Sequence, residues 1–108
     1  MTSDLLPLKI LSSTVGVGVL TDGWNLAEPY EDDDDARCFT TQVTFATPFA
    51  TPPVVHLGLS GFDVEQHSSA RITLKAEEIS DSGFLVRIST WRASRIYSAE
   101  FNWLAIGS

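Results

Sequence analysis

At 108 residues, 44% hydrophobic and 19% charged, the chain has room for a single domain with one core and is too apolar for intrinsic disorder. Its formal net charge of -7 disfavours nucleic acid, whose non-specific binding depends on Lys and Arg displacing counterions, and disfavours anionic membrane surfaces for the same reason. No apolar run approaches the roughly 18 residues that a membrane-spanning helix needs, and Cys38, the single cysteine, rules out an intrachain disulfide or a cysteine-based metal cluster.

The N-terminal stretch Leu5 to Leu11 is interrupted by Pro7 and Lys9, and Asp4 stands where a secretory leader carries basic residues. The expectation is a cytoplasmic protein, or one exported by a non-classical route. Ile10 to Leu20 reads as a first strand and Phe39 to Ala46, rich in Thr, Val and Phe, as a second. Between them the long loop from Thr21 to Arg37 holds Glu28, Glu31 and the run Asp32 to Asp35. A loop of that length in a small domain is often functional. After Pro52-Pro53, Val54 to Ser60 alternates with Val55, Leu57 and Leu59 on one face and His56 and Ser60 on the other. Arg71 to Glu77 gives the cleanest period of two: Ile72, Leu74 and Ala76 point in, while Arg71, Thr73, Lys75 and Glu77 point out. Past the turn Ser80 to Gly83, Phe84, Val86 and Ile88 share one face, and Arg87, Ser89 and Trp91 the other. In the last strand Tyr97, Ala99, Phe101 and Trp103 fall on one face, with Ile96, Leu104 and Ile106 opposite. Both faces are partly apolar, and a neighbouring subunit is the simplest cover for the second. No helix is predicted; the fold class is all-β, a six-stranded antiparallel β-sandwich occupying residues 1–108.

The connection between Trp91 and Tyr97 reads as a hairpin tip that gathers two aromatic rings and the guanidinium groups of Arg92 and Arg95. A sugar has an apolar C–H face for such rings and hydroxyls for such donors, although an indole in a strand also serves simply as packing. The Asp run offers acceptors for hydroxyls, but four contiguous Asp residues lack the alternate spacing and the Gly of a Ca²⁺ loop. His56 and His67 have no zinc-ligand spacing, so neither metal nor cofactor is expected. No G-x-S-x-G, P-loop or dinucleotide motif is present. Asp34 and Asp63 are conceivable as a glycosidase pair, for which their separation in space is the test.

Several ordered segments carry a resemblance: Val43 to Leu57 (V-T-F-A-T-P-F-A-T-P-P-V-V-H-L), Phe62 to Gln66, Ser82 to Phe84, Thr90-Trp91, Ile96 to Ser98 and Asn102 to Ile106. Together they resemble the H-type lectin domain, closely over residues 43–107, and Asp22 to Trp24 extends the likeness loosely toward the N-terminus. The resemblance implies a six-stranded sandwich assembled as a trimer, with two trimers sometimes joined into a hexamer, that binds galactose or N-acetylgalactosamine at subunit boundaries. It carries over a hydroxyl-accepting aspartate onto Asp34, with Asp33 and Asp35 as neighbours able to take its part. It carries a donating arginine onto Arg71, and aromatic walls from an adjacent chain onto Trp91 and Tyr97. Arg92 stands where snail agglutinins have a His beside the sugar, which shifts the expected ligand toward a larger or acidic glycan.

The function expected from these readings is reversible, metal-independent glycan binding with no bond made or broken. Two rivals are an oligomeric protein-interaction domain on the same scaffold, since fold alone does not fix function, and a glycosidase or glycosidase accessory.

Overall fold

The computed structural model describes residues 8–28, 36–65, 70–91 and 94–108, and these form six strands joined by turns and loops. The strands are β1 (Lys9–Gly18), β2 (Ala36–Thr44), β3 (Val54–Val64), β4 (Thr73–Glu77), β5 (Gly83–Trp91) and β6 (Ile96–Gly107). All pair antiparallel, in two three-stranded sheets: sheet A in the order β1-β6-β3 and sheet B in the order β2-β5-β4. The all-β sandwich read from the alternation is therefore the observed architecture. The two central strands, β5 and β6, are consecutive in the chain but lie in different sheets, so the short connection between them crosses the sandwich.

Each central strand supplies one wall of the core. Phe84, Val86 and Ile88 of β5 are completely buried, as are Phe101 and Ala105 of β6. Between these walls the rings of Phe45, Phe49, Phe84 and Trp103 interlock. Phe84 meets Trp103 edge to face at 5.6 Å between centroids, and Phe45 meets Phe49 the same way at 5.0 Å. Edge-to-face contact sets the electropositive rim of one ring against the negative face of the next, which adds to the gain from burying their area.

Two bulges in sheet A correct the simple alternation. Val64 pairs with Ile96 and Asp63 with Ser98, which leaves Tyr97 as an extra residue on β6. One extra residue reverses the phase of a strand. Ile96, expected beside Leu104 and Ile106 on the outer face, is accordingly turned inward and fully buried, and Tyr97 is displaced from the inward row of Ala99, Phe101 and Trp103. The second bulge lies on β3, where Leu59 pairs with Phe101 and Gly61 with Glu100. The intervening Ser60 donates to the Glu100 carboxylate Oε1 at 2.9 Å. Past it β3 runs on to Val64, beyond the end at Ser60 that the period-of-two pattern marks.

The first part of the long loop belongs to the core. Leu26 is completely buried, and Trp24 tilts against Phe39 at 5.1 Å. The Trp24 indole N–H donates to Ile96 O at 2.9 Å, while the Ile96 N–H donates to Leu26 O at 2.8 Å. This segment closes one end of the sandwich over the β5–β6 crossover. Replacing Phe84 by Ala removes a ring that touches both sheets, and the expected loss is about 3–5 kcal/mol of unfolding free energy, read from urea denaturation.

Candidate functional site

Arg71 lies just before β4. Thr73 pairs with Ser89, and continuing that register by two residues sets Arg71 opposite Trp91 on β5. Both side chains point outward, as alternation requires once Ile72, Ile88 and Thr90 face the core. The Arg71 guanidinium carbon lies 4.3 Å from the centre of the Trp91 ring, a cation–π contact that restrains a normally mobile side chain against an aromatic face. Among the described residues none of the guanidinium N–H donors is taken by a carboxylate.

The backbone beneath this pair is fastened twice. Thr90 Oγ1 donates to Arg71 O at 2.5 Å, and the Arg71 N–H donates to Ser94 Oγ at 3.0 Å. Both hydroxyl residues are buried, at 2% and 5% exposure. Ser94 is itself placed by its N–H donating to Trp91 O at 3.3 Å and by Arg37, whose Nη2 donates to Ser94 O. Above this frame a concavity of about 300 Å³ is lined by Ala36, Arg71, Thr73, Ser89, Thr90 and Trp91. The small residues Ala36, Thr73 and Ser89 flank the partly buried indole. The arrangement suits a ligand with one apolar face and several hydroxyls, and among the described residues no nucleophile paired to a base stands at it.

Sequence reasoning placed five residues in one site, and the structure brings two of them together. Arg71 and Trp91 meet within one chain, whereas the resemblance had set the guanidinium and the indole on opposite sides of a subunit boundary. Tyr97 lies on the other sheet, because the Trp91-to-Tyr97 connection is a crossover and not the hairpin tip read from the sequence. Its ring faces Arg95 at 5.8 Å and borders a separate depression of about 510 Å³, with Gly18, Val19, Leu20 and Phe62 among its walls. That depression is larger, but its lining has no arginine or lysine to hold a hydroxylated ligand. Asp34, its neighbours in the Asp run and Arg92 lie outside the described residues, as does His67. Asp63 is exposed on β3 in sheet A, and the exposed His56 shares that strand.

Thr90 and Ser94, which position Arg71, were not singled out from the sequence. The signal for Thr90 was present: it continues the inward series Phe84, Val86, Ile88, and a hydroxyl on an apolar face needs a partner. Arg95 was read as part of the recognition surface, but its Nε donates to Ala27 O at 2.8 Å and its Nη1 lies 3.6 Å from the Glu65 carboxylate. Arg37 likewise donates to Glu28 O at 2.7 Å, so both guanidiniums tie the loop around Leu26 to the frame.

Comparison with known proteins agrees with this fold. The family model for the H-type lectin domain matches residues 40–106, and the chain belongs to that family, whose fold is a carbohydrate-binding lectin fold. Recombinant discoidin II of Dictyostelium discoideum superposes with a TM-score of 0.76 at 21% identity, over 92% of this chain and 36% of its own. The wild-type discoidin II structure gives 0.77 at 20% identity, over 94% and 37%. A Fuscovulum blasticum protein named "ATP synthase subunits region ORF 7" is 39% identical over 72 residues, which is 67% of this chain and 63% of that protein. The chain thus spans under two thirds of that curated relative and little over a third of discoidin II.

Changing Thr90 to Val keeps the shape and removes the bond to Arg71 O. The expected cost is about 0.5–1.5 kcal/mol in stability. Acrylamide quenching of tryptophan fluorescence should rise as Arg71 loses its fixed place over Trp91.

Proposed function

We propose that this chain is a non-enzymatic lectin that binds terminal galactose or N-acetylgalactosamine, reversibly and without metal, at the subunit boundaries of a symmetric trimer. The observation that carries the reading is the Arg71 guanidinium held over the Trp91 ring by a doubly fastened backbone. In this reading the indole covers the C–H face of the sugar and the guanidinium edge donates to its hydroxyls, with Asp34 as acceptor. Tyr97 of an adjacent protomer, on the sheet that faces the boundary, closes the opposite wall, and Arg92 borders the sugar. A single shallow site of this kind binds at about 1 mM. Several sites on one assembly raise avidity by roughly 10² to 10⁴ where the glycans are spaced to match.

The outward face of sheet A supports assembly with further copies of this chain. The row Ile10, Ile106 and Val54 crosses all three of its strands, and these residues are 54%, 37% and 74% exposed. Further along the same face Gly58 stands beside Asn102, and Gly16 beside Glu100. A Cβ at Gly16 or Gly58 would meet nothing within 4 Å, and neither residue has a left-handed φ. Glycine weakens a strand interior, so a glycine that its own chain does not require is accounted for by another backbone approaching from outside. The same face also favours the second reading, an assembly domain that binds no sugar.

Two variants separate these readings. Arg71→Ala should lower glycan-array signal by about 10- to 100-fold, the effect of removing charged hydrogen bonds, and leave the mass in light scattering unchanged. Unchanged array signal removes Arg71 from the site, and a wild-type protein that assembles but binds no glycan favours the assembly domain. Ile106→Asp should reduce the solution mass to that of the monomer.

A further inference from the structure

The outward face of sheet B continues past the Arg71–Trp91 pair as rows of three residues. The next row is Cys38, Ser89 and Thr73, and the one after it is Thr40, Arg87 and Lys75. Arg71 and Lys75 are four residues apart on an extended segment, a separation of about 13 Å along the strand. Lys75 and Arg87 pair directly across the β4–β5 ladder. Like charges in that position repel and weaken a sheet. Arg87 is compensated: its Nε donates to Glu77 Oε1 at 2.9 Å, and this hydrogen bond first, then that to Cys38 Sγ, raises its pKa above the ordinary arginine value. Lys75 has no such partner among the described residues.

The other cations of the described residues are committed elsewhere. Lys9 donates to Pro48 O at 2.6 Å and covers the Phe49 ring, while Arg37 and Arg95 bind backbone carbonyls. In a chain of net charge -7, the outward face of sheet B therefore carries two cations, Arg71 and Lys75, whose charged groups have neither a carboxylate nor a backbone carbonyl as partner among the described residues. Glu77, the one carboxylate among the described outward residues of β2, β4 and β5, is already paired with Arg87. Hydroxyls of Ser89 and Thr73 line the way between the two charges.

We infer that this face extends the sugar site into a lane for an acidic glycan, with a galactose over Trp91 and the carboxylate of an acidic sugar linked to that galactose received by Lys75 beside Arg87. The inference rests on the proposed galactoside site and adds the class of its ligand. The anion relieves the repulsion across the Lys75–Arg87 pair, and the hydroxyls of the middle row serve the linkage.

The test compares lactose with 3′-sialyllactose by titration calorimetry on the whole chain at low salt. The sialylated sugar should bind roughly three- to tenfold more tightly, the gain of a partly exposed ion pair, and the ratio should shrink as salt is raised. Lys75→Gln should bring the ratio close to one, and Lys75→Glu should invert it, with both variants checked for unchanged thermal unfolding. Equal affinity for the two sugars in the unmodified protein, or a ratio untouched by Lys75→Gln, overturns the lane and leaves the galactoside reading standing. Absence of binding to both sugars overturns the galactoside reading and the lane with it.

Discussion

The register of β5 is the constraint on which the rest of the molecule depends. This central strand of sheet B points Phe84, Val86, Ile88 and Thr90 into the core and Leu85, Arg87, Ser89 and Trp91 outward. Because strand side chains alternate with a period of two, a slip of one residue would bury Arg87 and Trp91 and expose the completely buried Phe84. The hydrophobic gain that closes the sandwich and the presentation of Trp91 to solvent are thus one choice made once. Arg71 follows from it, since β4 is paired to β5 and brings the guanidinium opposite the indole.

Packing alone would leave that guanidinium mobile. A long charged side chain at the end of a short strand has many rotamers, and ordering it on binding would cost affinity. Here the cost falls on folding instead. Thr90 and Ser94 fix the backbone of Arg71, Trp91 gives its guanidinium an aromatic partner, and Arg37 and Arg95 tie the neighbouring loop through backbone carbonyls. Buried hydroxyls so placed serve two ends, because each satisfies its own hydrogen-bonding need by holding a site residue.

The two outward faces of the sandwich differ in kind. Sheet A shows exposed apolar residues at one end and, further along, glycines beside Asn102 and Glu100. Sheet B shows threonines, serine and cations in a chain that is acidic as a whole.

The sequence by itself determined the strands, their inner and outer faces over β4, β5 and most of β6, and the outward position of Arg71, because alternation is a local property of an extended chain. The ordered motifs from Val43 to Ile106 likewise carried the family. Only the tertiary structure decided which outward residues become neighbours. The bulge at Tyr97 reversed the phase of Ile96, and such a bulge is a matter of pairing with β3 that no period in β6 alone records. The crossover between β5 and β6 parted Tyr97 from Trp91, though five residues lie between them in the chain. The contact of Arg71 with Trp91 joins residues twenty apart in sequence, through a strand pairing that exists once the whole sandwich has closed.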